Sequence, residues 1–303
     1  MIKIVTVINY LGEALELDLR NPEKSGLFVK AIKGLGPSRG IINTTEVSTN
    51  DGSIYNSARK SQRNIVMEFG FLWNDTIEDS RHLTYKYFPV KKQLTLIFET
   101  DRRRCMTTGY VEANEPDIFS SDSGCQISII CPDPLFYSLD AGSGATTVFS
   151  GIEPLFEFEF ENEGMEGTIE FGSIQTKSEN VVTYDGDDEV GVRMTIFALG
   201  PATNITIFNS ITREMMKIDT SKIESITGQG LITGDELTIC TVKGNKGVTL
   251  LREGKTYNVL NCLGKNVDWF QLSKGDNVFA YSAETGASNL QFRIDNDVVY
   301  EGV

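Results

Sequence analysis

Apolar and polar residues alternate with period two along most of this chain, so the sequence predicts strands nearly throughout. Residues 92–99, KQLTLIFE, and 154–161, PLFEFEFE, alternate most cleanly. In the second, Phe156, Phe158 and Phe160 point one way and Glu157, Glu159 and Glu161 the other, giving one core face and one wet face. Short strands are expected near 179–184, 191–198, 204–209, 235–242, 247–252, 277–282 and 290–301. Turn signals separate them at Asp185-Gly186, Gly200-Pro201, Gly234-Asp235, Gly244-Asn245, Gly275-Asp276 and Asn296-Asp297. The N-terminal IKIVTVI also reads as a strand, and without a basic region and a long apolar run it is not expected to be a signal peptide. No run of 18 apolar residues occurs, so no membrane span is expected.

One segment breaks this period. A helix is predicted over about residues 75–88: Asp75 or a neighbour can cap it, and Glu78 sits three residues beyond. Glu78 and Asp79 fall in the first turn and Arg81 and Lys86 later, the order the helix dipole favours. Ile77, Thr84, Tyr85 and Phe88 share a face at helical spacing, and Pro89 supplies the stop. The second half lacks such a pattern and is expected to be nearly all β. A boundary falls in residues 139–151, LDAGSGATTVFSG, which are small and uncharged after Asp140. The fold class is therefore mainly β. It comprises an N-terminal β-barrel-like domain with one helix (1–143), a linker (144–151) and a C-terminal antiparallel β-sandwich (152–303).

Residues 43–64, NTTEVSTNDGSIYNSARKSQRN, interrupt the pattern with a long polar stretch. Asn50-Asp51-Gly52 is a hairpin-turn signal, and Arg59, Lys60 and Arg63 lie close together. Two readings stand: a mobile surface loop, or a hairpin arm that becomes ordered against a neighbouring subunit. Asn50, Asp51, Tyr55, Arg59 and Arg63 are the interface candidates on the second reading. Arg102, Arg103 and Arg104 join them as a basic run after a strand, flanked by Asp101, which suits a turn or a subunit contact.

Charge sharpens the division into halves. Residues 1–150 carry 16 Lys/Arg against 18 Asp/Glu, and residues 151–303 carry 12 against 24. A second half this acidic should repel nucleic-acid phosphates. At 303 residues the chain is long enough for two domains without disulfides or metals. Its five cysteines form no framework or CxxC motif and read as small buried thiols.

Candidate chemistry is sparse. His82 is the only histidine, which removes zinc sites built on two or more. The run Tyr184 to Glu189 lacks the alternating carboxylates of a calcium loop and reads as a charged hairpin turn. Neither GxGxxG nor GxxxxGK[ST] occurs. Trp73 and Trp269 lie in apolar strand-like contexts that suit core packing better than sugar stacking. No cofactor, metal or catalytic residue is assigned, and no enzymatic role is expected.

The order of the pieces resembles the distal tail proteins of siphophages. DGSIYNSARKSQRNIVMEFGF is similar to that family's turn and basic arm entering a strand, and SRHLTYKYFPVKKQLTLIFETDRR to its helix and strand. CPDPLFYS, from Cys131 to Ser138, resembles the signature closing the first domain. NITIFNSITREMMKI is similar to a strand-turn-strand, and GDELTICTVKGNKGVTL to the next hairpin. WFQLSKGDNVFAYSAETGASNLQFRI resembles a tryptophan, a leucine-x-x-glycine-x-asparagine turn and closing strands. The resemblance implies a galectin-like C-terminal domain and a homo-oligomeric, hexameric ring joining the tail tube or tail-terminal proteins to a tail-associated hub protein. It also implies DNA passing through the lumen without specific binding, and a virion tail assembled in the bacterial cytoplasm. The alternative function is a carbohydrate-binding module for host-surface recognition.

Overall fold

The computed structural model of the chain describes residues 1–46, 48, 51–72, 76–117, 123–140, 145–154, 172–176 and 179–303. It divides into two compact units, Met1–Ser143 with Val299–Val303, and Gly144–Val298.

The first unit contains β1 (Ile2–Ile8), β2 (Ala14–Asp18), β3 (Leu27–Lys33), β4 (Gly40–Glu46), β5 (Ser53–Lys60) and β6 (Arg63–Phe71). Then come α1 (Ile77–Tyr87), β7 (Gln93–Thr100), β8 (Arg104–Asp117), β9 (Gly124–Cys131) and β10 (Phe136–Ser138). Antiparallel pairing runs β2-β1-β7-β8-β9-β6-β3. Alternation decides which face is covered. Val5 and Val7 of β1, Leu94, Leu96 and Phe98 of β7, Ile127 and Ile129 of β9, and Ile65, Met67 and Phe69 of β6 are buried in one core. Each such side chain stabilises the unit by about 1.5–3 kcal/mol. A sheet that buries one face against itself must curl, which makes the unit barrel-like.

Helix α1 lies where the sequence predicts it, capped by Thr76, the neighbour of Asp75. The Thr76 side chain accepts the Asp79 amide at 3.2 Å, and its hydroxyl donates to the Asp79 carboxylate at 2.7 Å. Asn74 and Asp75 lie outside the described residues. Ser80 and Thr84 form the buried face with Phe88 just beyond, whereas Tyr85, expected on that face, is exposed. Short polar side chains at the contact let the helix sit close to the sheet, and Tyr85 is turned about 100° away from Thr84.

The second unit begins with β11 (Ala145–Val148), β12 (Ser150–Pro154), β13 (Gly172–Thr176), β14 (Glu179–Tyr184), β15 (Val190–Ala198), β16 (Thr203–Asn209) and β17 (Glu214–Ile218). It continues with α2 (Thr220–Thr227), β18 (Glu236–Cys240), β19 (Gly247–Arg252), β20 (Lys255–Asn258), β21 (Gln271–Leu272), β22 (Gly275–Thr285) and β23 (Leu290–Asn296). Strand β12 pairs with β13; one sheet runs β11-β23-β15-β18-β19-β20 and a second β14-β22-β16-β17. Their inner faces meet as a sandwich: the Tyr281 ring of β22 lies 5.4 Å from Phe292 of β23, and its hydroxyl donates to the Leu290 carbonyl at 3.1 Å. The last strand, β24 (Val299–Tyr300), belongs to the first unit and pairs with β10.

Three expectations are corrected here. The stretch read as a linker contributes β11, paired with β23, and the buried Phe149, 4.8 Å from Phe292. Its Thr-Thr-Val-Phe content suits a strand better than a flexible tether. The acidic turn 185–189 is not a hairpin, because β14 and β15 lie in different sheets and it crosses between them. Helix α2 interrupts the all-β second half; Asp219 caps it, and Gly228 ends it at φ 81°. With two isoleucines among its eight residues, its apolar period is too short to register. The predicted strand 154–161 lies, after Pro154, outside the described residues.

Candidate assembly surface

Strands β4 and β5 pair only with each other, from Gly40↔Lys60 to Glu46↔Ser53, with a bulge between Asn43 and Thr44. The polar stretch is thus a hairpin arm rather than an unstructured loop. Every described residue from Ile42 to Lys60 is exposed, including Ile42, Ile54 and Tyr55. Asn43 donates to the Ser57 hydroxyl at 3.0 Å and Asn56 to that of Thr45 at 2.6 Å. An isolated two-stranded hairpin is marginal in water. The arm therefore depends on its foot.

The foot is closed by Ser61, whose amide and hydroxyl both donate to the Arg39 carbonyl at 2.9 Å. Next to it, Arg63 is only 3% exposed. Its guanidinium donates to the carbonyls of Pro134 at 2.6 and 2.8 Å, Gly34 at 2.6 Å, Glu301 at 2.7 Å and also Gly36. It also lies 4.3 Å over the Phe136 ring. Burial draws its pKa down from the ordinary arginine value. Arg63 thus acts inside its own unit and is withdrawn as an interface candidate. It occupies the in-facing register of β6 with Ile65, Met67 and Phe69, so the strand carries it into the core.

The CPDPLFYS segment explains itself around this residue. Asp133 accepts the Leu135 amide at 3.0 Å and the Tyr137 hydroxyl at 2.7 Å, which presents the Pro134 carbonyl to Arg63. Gly34 sits at φ 85°, where a Cβ would come within 2.0 Å of the Asn64 carbonyl oxygen, so only glycine fits.

The remaining candidates divide. Asn50 lies outside the described residues, and Asp51 opens the bend into β5. Tyr55 and Arg59 are exposed on β5. Arg102 is exposed in the β7–β8 turn, and Arg104 lies 4.0 Å from Glu99. Arg103 stacks 4.1 Å over Tyr300 and donates to the Gly302 carbonyl at 3.5 Å, so it too serves the unit's interior packing. In the same turn Asp101 binds the N-terminal amine at 2.8 Å and Lys3 at 2.9 Å, which holds its carboxyl at about 2.

Shallow clefts of about 470 and 420 Å³ lie on either side of Asn204 and Asp219 in the second unit. Lys217, Lys222, Thr206, Ser282 and Glu284 line the first, with no aromatic ring in either lining. Trp269 is half-buried with the Lys246 ammonium 5.2 Å over it, and Trp73 lies outside the described residues. His82 is exposed on α1, its ring centroid 6.1 Å from that of Tyr85. Burial pushes the Cys105 and Cys262 thiols up to about 11 and Cys125 to about 12, while Cys240 is only half-buried. Thiols held this far from ionisation are poor nucleophiles. Among the described residues no cluster of three His, Cys, Asp or Glu could hold a metal, and no helix is long and apolar enough to cross a membrane.

No family model and no curated protein sequence matches the chain. Solved structures do. The phage P2 baseplate in its activated conformation with calcium aligns over 100% of both chains at 11% identity and a TM-score of 0.46. The crystal structure of the SPP1 Dit protein, described as a paradigm of the hub adsorption apparatus in phages infecting Gram-positive bacteria, aligns at 13% identity and a TM-score of 0.64. That alignment covers 98% of this chain and 99% of SPP1 Dit, so the two share a fold from end to end.

Proposed function

We propose that this chain is a structural, non-enzymatic subunit of a phage tail tip or baseplate. In this reading it forms a ring, hexameric in the family it resembles, that joins the tail tube to the hub protein and lets DNA pass. The observation that carries the proposal is the fold shared with SPP1 Dit over nearly the whole of both chains. The arm adds a physical reason for self-association. It exposes Ile42, Ile54 and Tyr55 on a ribbon with no core behind it, and covering such a ribbon with a neighbouring copy removes apolar surface from water. Ring interfaces of obligate assemblies commonly bury about 2,000 Å² or more.

Electron microscopy and native mass spectrometry of the full chain test this reading directly. Closed rings are expected at high concentration, and replacing residues 41–59 by a short Gly-Ser turn should abolish them while leaving the melting temperature nearly unchanged. Rings that persist without the arm would remove its assembly role. A chain that stays monomeric at all concentrations, alone and with a tail-tube partner, would remove the ring.

A further inference from the structure

The segment Val299–Val303 touches the last residue of the arm's outgoing leg and the stretch that precedes its incoming leg. Val303 donates its amide to the Leu35 carbonyl at 3.1 Å, and Gly302 lies so close that a Cβ there would meet the same oxygen at 3.0 Å. Residues 34–36 lead, through residues 37–39, into β4, the incoming leg. On the outgoing leg the Glu301 carboxylate pairs with Lys60, the last residue of β5; both side chains are about one-third exposed. The Glu301 carbonyl takes one arm of the Arg63 guanidinium, whose other arm holds Gly34 and Gly36. Tyr300 is pinned beneath Arg103, and β24 pairs with β10.

We propose that residues 299–303 are a strap that fixes the foot of the arm and so sets its direction. The inference deepens the reading of the arm as an assembly element and rests on it. The physical case is lever geometry. A two-stranded ribbon without a core behind it pivots about its base, so a small set of contacts there governs where its tip lies. The strap closes that base from one side with a main-chain hydrogen bond, an ion pair and a shared guanidinium. It follows β23 in the chain, so the polypeptide that completes the sandwich goes on to brace the arm.

Hydrogen exchange of the amides in residues 40–46 and 53–60, measured on the dilute full chain, tests the strap apart from assembly. Lys60→Glu and Glu301→Lys should each raise exchange there by about fivefold, because each places like charges together at the foot. Combining them restores an opposite pair and should return exchange to the original level. Unchanged exchange in the single variants overturns the strap. So does a double variant that stays as fast as the singles, because general damage to the unit would not be repaired by the swap. If exchange follows this pattern while rings form equally well in all three variants, the strap stands and the arm's role in assembly falls.

Discussion

Two antiparallel hairpins in this chain share a topology and differ in everything behind them. In β18–β19, Glu236↔Leu251 through Cys240↔Gly247, the residues Leu237, Ile239, Val248 and Leu250 point into the sandwich and are buried. In β4–β5 each face mixes isoleucine or tyrosine with Thr, Ser, Asn or Ala, and every described residue from Ile42 to Lys60 is exposed. A buried arginine stands beside each hairpin. Arg252 ends β19 and grips Asp235 through two bonds of 2.5 and 2.7 Å, while Arg63 opens β6 just after the arm and binds main-chain carbonyls. The first hairpin is held along its length, the second only at its foot. A hairpin built this way extends a surface rather than a core.

The largest effect is expected at Arg252. Asp235 is 1% exposed, so Arg252→Ala leaves a buried carboxylate without its counter-charge and should cost about 3–5 kcal/mol. Replacing both partners by apolar residues, Arg252→Met with Asp235→Leu, should recover most of that loss. Urea unfolding measures both. An Arg252→Ala chain as stable as the parent would break the comparison at its first term.

Next come the hairpins' own side chains. Leu250→Ala should cost about 2–5 kcal/mol through the cavity it leaves. Ile54→Ala, on the arm, should change the stability of the unassembled chain by less than about 0.5 kcal/mol. Equal losses would mean that the arm is packed against its own unit after all.

Where alternation was long and apolar, the sequence was legible almost to the residue. Strands 179–184 and 247–252 are found at those bounds, because their in-facing Val182 and Tyr184, or Val248 and Leu250, are unambiguous. The Asn50-Asp51-Gly52 signal points to a hairpin, which the pairing of β4 with β5 bears out, whereas loop and arm share one composition and leave contact with a neighbour unreadable. Arg63 was misread for a related reason. Nearness in sequence grouped it with Arg59 and Lys60, whereas the period of β6 places it with Ile65 and Met67. Helix α2 shows the opposite limit: its caps, Asp219 and Gly228, were better signals than its period. The strap was not legible at all, because pairings over more than 200 residues, such as Arg63 with Glu301, leave no local pattern.

The smallest effects on the free chain, and the sharpest test of which face of the arm is covered, lie at Tyr55 and Arg59. The register places Tyr55 opposite Thr44, on the face that also carries Ile42 and Ala58, whereas Arg59 opposes Ile41 on the other face. Neither side chain is buried, so Tyr55→Ala and Arg59→Ala should each leave the melting transition within about 0.5 kcal/mol of the parent. Association should separate them. Tyrosines at interface centres commonly contribute about 2 kcal/mol or more when truncated, so Tyr55→Ala should weaken ring formation by roughly thirtyfold. Arg59 on the opposite face would pair with a neighbour's carboxylate near solvent, which is worth under about 1 kcal/mol and fades as salt screens it. Sedimentation of both variants at low and high salt measures the difference. A larger loss for Arg59→Ala that disappears at high salt would place the neighbour on the basic face of the ribbon. Equal and salt-independent losses would mean that both faces are enclosed, with the arm threaded between two surfaces rather than laid along one.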